Sequence, residues 1–130
     1  MQNLPVVHSM YEAFGRGDVP ALLANCHPDL EWVNPGPTDV PYFGTHRGHA
    51  AIVRNVFAFL AENMQFDVFA PRDFLTSGDK VVVLLDITAR VGRDKTPITQ
   101  EVVHVFTFRD GKVVRFHDFQ DNHAVAQALR

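Results

Sequence analysis

The chain has 130 residues, enough for one domain with its own core, and 46% of them are hydrophobic, including 11 phenylalanines. A formal charge of -3, with both signs mixed along the chain, argues against nucleic acid, which asks for a basic face. Cys26 is alone, so no intrachain disulfide is possible, and with no secretory leader at Met1-Gln2-Asn3-Leu4 and no run near the roughly 20 apolar residues of a membrane span, a cytoplasmic protein is expected.

Leu4, Val7, Met10, Tyr11 and Phe14 recur at helical spacing, and Gly15-Arg16-Gly17 ends that helix. Asp18 can cap a second, short helix with Pro20 in its first turn and Leu22 and Leu23 facing the core. His27-Pro28-Asp29 stops it, because the residue before proline is pushed out of helical geometry. Residues 30–34 read as a strand, and 35–47, with three prolines and two glycines, as a loop. A long helix is predicted from about Gly48 to Met64: Ile52, Val56, Leu60 and Met64 form one row, which Val53 and Phe57 widen.

Residues 66–75 form a strand bent near Pro71, and the Val/Leu/Ile run 81–91 forms the next. Strands at 98–108 and 113–121 flank Arg109-Asp110-Gly111-Lys112 as a hairpin, and 122–130 is a short tail of weak helical character. Three helices with one early strand, then four antiparallel strands, make an α+β layout. A sheet curls around the long helix and leaves a conical cavity.

The hairpin register decides which side chains share a face. A two-residue type I′ loop at Asp110-Gly111 would set His104 opposite His117, push Arg115 in beside Phe106 and make Asp121 the site carboxylate. A three-residue turn closed by a Gly111 bulge sets His104 opposite Phe116 and Val102 opposite Asp118. The second gathers Val102, His104, Phe106, Phe108, Val114, Phe116, Asp118 and Gln120 on one face and turns Arg115 and His117 outward. Burying an unpaired guanidinium is costly, so the second register is expected. It puts a histidine and an aspartate on an apolar wall.

Four segments carry a family resemblance: residues 11–18 (YEAFGRGD), 27–32 (HPDLEW), 43–48 (FGTHRG) and 108–116 (FRDGKVVRF). In this order they resemble the nuclear transport factor 2-like superfamily, in its SnoaL-like polyketide cyclase and ketosteroid-isomerase-like branch. The resemblance spans nearly the whole chain and implies one domain over residues 1–130. It also implies a cone-shaped, cystatin-like fold with a long helix packed in a strongly curved antiparallel sheet around a pocket. It does not fix a reaction, because this fold hosts enzymes and non-catalytic binders alike.

Family isomerases use a carboxylate where this chain has Asn34, and a protonated Asp where it has His104, with Tyr11 a plausible counterpart of their oxyanion tyrosine. Two of three groups differ, so the usual steroid isomerase wiring does not carry over. SnoaL-like cyclases fit better: the resemblance implies an acid/base Asp118, with His104 and Asn34 nearby, in an intramolecular aldol closure without a cofactor.

His104 and Asp118 would perturb each other's ionisation, as acid/base pairs do, or form a buried pair that satisfies itself. Asn34 could donate to a substrate carbonyl or simply cap the turn at Pro35. Tyr11, Phe14, Trp32, Val102, Phe106, Phe116 and Gln120 are the expected ligand-contacting residues. His46 and His49 have the best local spacing for a metal but no further ligands nearby, so no metal and no nucleotide or flavin cofactor is expected. Val103, Val105, Thr107 and alternate residues of 81–85 make the outer sheet face too apolar to stay wet, which points to a homodimer packed through its sheets. The expected partner is a small, largely hydrophobic molecule with carbonyl or hydroxyl groups, handled by an enzyme of the cyclase, isomerase or lyase type. A non-catalytic binding module of the same fold is the alternative.

Overall fold

Residues 3–130 are described by a computed structural model; Met1 and Gln2 of the stretch read for a leader lie outside them. Helix α1 (Asn3–Gly15) turns Val7, Met10 and Ala13 inward. Helix α2 (Val19–Leu23) starts where expected: the Asp18 carboxylate accepts from Ala21 N at 3.1 Å, meeting one of the free N–H groups of the first turn.

Strand β1 (Cys26–Asn34) begins four residues before the expected strand. Cys26 already lies beside Val113 of β6 (Lys112–Phe119), and the register shifts between Cys26 and Glu31, where Pro28 lacks a ladder donor. The expected loop 35–47 ends in a further strand, β2 (Gly44–Arg47), paired antiparallel with β1. Its sequence, Gly-Thr-His-Arg, has no apolar alternation to reveal it. It is an edge strand, tied by Arg47 Nη2 donating to Glu31 Oε2 at 2.6 Å.

Helix α3 (His49–Ile52), a π-helical turn (Val53–Phe57) and α4 (Ala58–Asn63) run on as the long helix. The π turn corrects the expected stripe. An inserted residue rotates the face by about one position, so Ile52, Val56 and Phe57 are buried while Val53 is 42% exposed.

Strands β3 (Met64–Ser77), β4 (Lys80–Val91), β5 (Thr96–Arg109) and β6 form the rest of a six-stranded sheet in the order β2-β1-β6-β5-β4-β3. The β1–β6 contact is parallel and all others antiparallel, so the sheet is mixed and not closed. Bulges between Phe66 and Val68 and between Pro71 and Asp73 bend β3. Alternation along β4 is strict. Val81, Val83, Leu85, Ile87, Ala89 and Val91 are buried against the helices, while Val82 and Leu84 face outward.

The hairpin forms neither of the two simple registers. Asp110 and Gly111 both have positive φ, 53° and 80°, which is a two-residue type I′ turn and not the expected three-residue one. A bulge follows: Phe108 pairs with Val113 but Thr107 with Arg115. The extra residue restores the parity that the turn alone would break. His104 therefore faces Asp118, not Phe116 or His117, while Arg115 and His117 point outward as expected. Val113, not Val114, is the buried residue of the bulge. β6 ends at Phe119, and Asp121 is exposed, capping helix α5 (Asn122–Ala128) by accepting from Ala124 N at 3.0 Å.

Candidate functional site

The inner face of the sheet and the helices enclose a cavity of about 860 Å³, counted out to its open mouth. Its walls are mostly aromatic and aliphatic, including Phe14, Trp32, Phe106 and Phe116. Trp32 and Phe116 pack with ring centroids 4.1 Å apart, held in register because β1 and β6 pair them directly. Neither lysine nor arginine lines this space.

The polar groups lie along one ridge. The Tyr11 hydroxyl, from α1, is 2.7 Å from His104 Nδ1. His104 Nε2 is 3.5 Å from Asp118 Oδ1, within ion-pair range but too long for a formed hydrogen bond. Gln120 Nε2 donates to Asp118 Oδ2 at 2.7 Å, and Gln100 Nε2 donates to Gln120 Oε1 at 3.4 Å. With Nε2–H turned toward the carboxylate, His104 Nδ1 accepts from Tyr11. Asp118 Oδ1 is left buried without a donor. Burial, and secondarily the Asp118 charge, push the Tyr11 phenol well above its ordinary range, so it stays protonated.

Tyr11, Phe14, Trp32, His104, Phe106, Phe116, Asp118 and Gln120 all line the cavity. Val102 does not: it is fully buried, and shorter than the Gln100 and His104 that flank it on the same face. Asn34 is also fully buried and outside the lining. Its Oδ1 accepts from Asn122 Nδ2 at 2.6 Å, and the same Nδ2 donates to Pro35 O at 2.7 Å. Asn34 thus joins the end of β1 to the start of α5.

Two polar lining residues, Gln100 and Tyr42, escaped the sequence reading. Gln100 was legible, since it precedes Val102 and His104 at the same two-residue step. Tyr42 was hidden in the proline-rich segment, where the adjacent aromatics Tyr42 and Phe43 were the available signal. Tyr42 is 4% exposed, and its ring stacks on Phe59 at 4.3 Å. Burial raises its phenol above the ordinary range, and the Asp118 charge adds to that; the amides of Asn34 and Gln120 act the other way.

Among the described residues, no three of His, Cys, Asp or Glu gather as a metal would need. The rings of His46 and His49 engage backbone carbonyls instead: His46 Nε2 lies 3.0 Å from Tyr42 O, and His49 Nε2 3.0 Å from His27 O. Burial pushes the Cys26 thiol up to about 12, which leaves it an inert core residue. Among the described residues, no helix is long and apolar enough to cross a membrane.

The site is thus a long helix against a six-stranded mixed sheet, with polar groups on β5 and β6 facing an apolar cavity. Residues 7–116 match the SnoaL-like domain. The chain belongs to the SnoaL-like family. Solved structures agree with this membership. An NTF2-like protein of unknown function from Burkholderia pseudomallei K96243 is 29% identical with a TM-score of 0.89, over 99% of this chain and 98% of that one. An NTF2-like protein from Burkholderia xenovorans LB400 is 33% identical, TM-score 0.86, over 98% and 95%. TerC, co-crystallized with polyporic acid, is 34% identical, TM-score 0.81, over 97% and 96%. No curated protein matches the sequence. The SnoaL-like fold here is α+β, with the curved sheet expected but with one parallel strand contact and free edges at β2 and β3.

Proposed function

We propose that residues 1–130 form one SnoaL-like domain that binds a small, largely apolar carbonyl compound and acts on it by acid/base chemistry without a cofactor, as a cyclase, isomerase or lyase. The observation that carries this is Asp118 Oδ1, a carboxylate oxygen buried in an apolar cavity with no donor of its own. A carboxylate so placed is a poor structural element, because a buried carboxylate oxygen left without a donor costs stability. It is placed to act as a base, because Asp118 lines the space a substrate would fill. In this reading Asp118 takes a proton from the carbon beside a carbonyl, and the electron pair moves to the carbonyl oxygen. The enolate carbon then attacks a second carbonyl of the same molecule, whose oxygen takes the proton back from Asp118, or the proton returns to a different carbon of the enolate. His104 orients the carboxylate, and Tyr11 holds the His104 tautomer.

The likeness to TerC supports a ligand in this cavity and makes polyporic acid the first compound to try. Native mass spectrometry of protein purified without additives tests the binding reading, and a co-purifying molecule of a few hundred daltons is expected. If polyporic acid and enolisable carbonyl compounds bind but none turns over, the domain is a binding module and Asp118 only orients its ligand.

A cytoplasmic setting is proposed from the lone, buried Cys26. A homodimer is proposed on the outer sheet face. There Val82 pairs with Val105, Leu84 pairs with Val103, and Val103 pairs in turn with the 48% exposed Phe119.

A further inference from the structure

Three hydrogen bonds in series end on Asp118. The Asp121 backbone N–H donates to Gln100 Oε1 at 2.7 Å, Gln100 Nε2 donates to Gln120 Oε1 at 3.4 Å, and Gln120 Nε2 donates to Asp118 Oδ2 at 2.7 Å. A backbone N–H can donate but not accept, so the first bond settles the direction of the other two. It holds Gln100 with its oxygen toward Asp121 and its amide nitrogen toward Gln120, and that turns the Gln120 nitrogen toward the carboxylate. The root of the chain is itself fixed: the Asp121 carboxylate accepts from Ala124 N at 3.0 Å as the cap of α5, and Asn122 N donates to Gln120 O at 3.0 Å. Glutamine suits both links, because one side chain accepts at its oxygen and donates at its nitrogen. A carboxylate would end the chain, and an ammonium could not accept from Asp121. Gln100 and Gln120 both line the cavity. Among the described residues, Gln100 bonds to Gln120 and to the Asp121 backbone, and not to Asp118.

We propose that Gln100 is a positioning residue for Asp118, acting through Gln120: it sets which end of the Gln120 amide meets the carboxylate, and so which carboxylate oxygen stays free for substrate. With an N–H on Oδ2, Oδ1 is the oxygen left to take a proton. If the Gln120 amide were reversed, its carbonyl oxygen would face Oδ2, two acceptors with no proton between them, and the carboxylate would have to turn out of its place. The loss falls on proton transfer rather than on binding. The proposal rests on reading Asp118 as the base.

The probe is 2-tetralone, a flat apolar ketone whose proton between ring and carbonyl can be exchanged for deuterium in heavy water. Asp118 takes that proton, the electron pair moves to the ketone oxygen, the new acid exchanges with solvent, and a deuteron returns to the same carbon. Proton NMR gives kcat and KM of the exchange above the rate in buffer. Aspartate ¹³Cγ NMR of the intact chain, with Asp118→Asn assigning the resonance, follows the carboxylate. Gln100→Glu is the deciding variant. It keeps the acceptor for Asp121 N–H and nearly the same shape but has no N–H for Gln120, whose amide must turn over. It should lower kcat about tenfold, more than Gln100→Met does, with KM within about twofold of the wild type. A merely structural role would make this closer isostere the milder change. The Asp118 resonance should move in Gln100→Glu. In a Gln120→Met background, Gln100→Glu should neither slow the exchange further nor move the resonance further, because the path is already cut. A further loss there means that the introduced carboxylate acts directly on Asp118, and it overturns the proposal. Gln100→Glu with both kcat and the resonance unchanged overturns it too. Exchange in the wild type no faster than in Asp118→Asn overturns the base reading, and the resonance alone then decides whether Gln100 acts through Gln120.

Discussion

Asp118 stands directly across from His104 on neighbouring strands, yet His104 Nε2 and Asp118 Oδ1 are 3.5 Å apart. The pair is aligned but not closed, and Gln120 holds only the other oxygen of the carboxylate. Asp118→Asn should therefore leave the melting temperature unchanged or raise it, because a neutral amide still accepts from Gln120 and no longer buries a poorly paired charge. On a cyclisable or enolisable substrate the same variant should lose on the order of 10²–10⁴ in rate, and the wild type should keep its activity after exhaustive chelation. Calorimetry and turnover measured together decide it. A fall of several degrees with the rate intact would make Asp118 architecture.

Tyr11→Phe probes the other end of the ridge. The change leaves the buried His104 Nδ1 without its 2.7 Å partner, and an orphaned buried acceptor costs about 1–3 kcal/mol. Denaturant unfolding should show that loss with an unchanged m-value. Equal stability would mean that water or a rotated His104 replaces the hydroxyl.

The bulge that sets the site gives a sharper stability contrast. Val113 is fully buried and Val114 partly exposed, although the two are adjacent and alike. Val113→Thr should cost about 1–3 kcal/mol by burying a hydroxyl, whereas Val114→Thr should stay within about 0.5 kcal/mol. The reverse order of midpoints in urea would contradict the register, and with it the facing of His104 and Asp118.

That same hairpin shows how far the sequence was legible. The face was readable, because turning Arg115 outward and Phe116 inward has one sensible parity. The pairing was not, because a type I′ turn plus a bulge and a three-residue turn give the same parity from different partners. Tyr11, Trp32 and Phe116 could be placed on the wall from spacing and family order, since each sits in a regular element, and Gln120 because it directly follows β6. Tyr42 could not, because a segment with three prolines has no period to read, and the short strand after it is too polar to announce itself. Asn34 was legible as the residue ending the first strand, but not as one buried outside the cavity lining. That distinction depends on Asn122, which is 88 residues away in sequence.

Self-association should depend on pH through His117. Its ring lies on the outer sheet face, stacked on Phe119 at 3.8 Å. Partial burial holds its pKa below the ordinary value, Arg115 adds to this, and Asp118 opposes it. A histidine whose folded pKa is lowered takes up its proton more readily when unfolded or exposed. Its contribution is thus fully present above about 6.5 and is lost as pH falls toward the folded value. The proposed dimer would bury the ring further and steepen the effect. Sedimentation at tens of micromolar should show dimer at pH 7.5 and a shift toward the 14.6 kDa monomer near pH 5.5. His117→Phe should flatten that dependence. A monomer at every pH would remove the sheet-packing argument.

Gly92 fixes where α5 closes over the cavity. It has φ +77°, and a Cβ built there would lie 2.5 Å from the Ala128 carbonyl oxygen. Both the conformation and the contact forbid a side chain, and the obstacle is backbone, which cannot rotate away. Gly92→Ala must therefore strain the turn or push the C-terminal end of α5 outward. That helix carries Val125 on the cavity wall and Asn122 at the Asn34 contact. Its outer end packs Ala128 and Leu129 against the core, and just beyond it Arg130 Nη2 donates to Asp39 Oδ2 at 3.0 Å, an exposed pair that contributes little. This short end helix should yield before the long sheet strands, which are paired along their length. Gly92→Ala is expected to lower stability by about 1–2 kcal/mol and to speed amide hydrogen exchange in α5 selectively, with β4 and β5 still protected. Uniformly faster exchange across the sheet would instead place the strain in the β4–β5 turn.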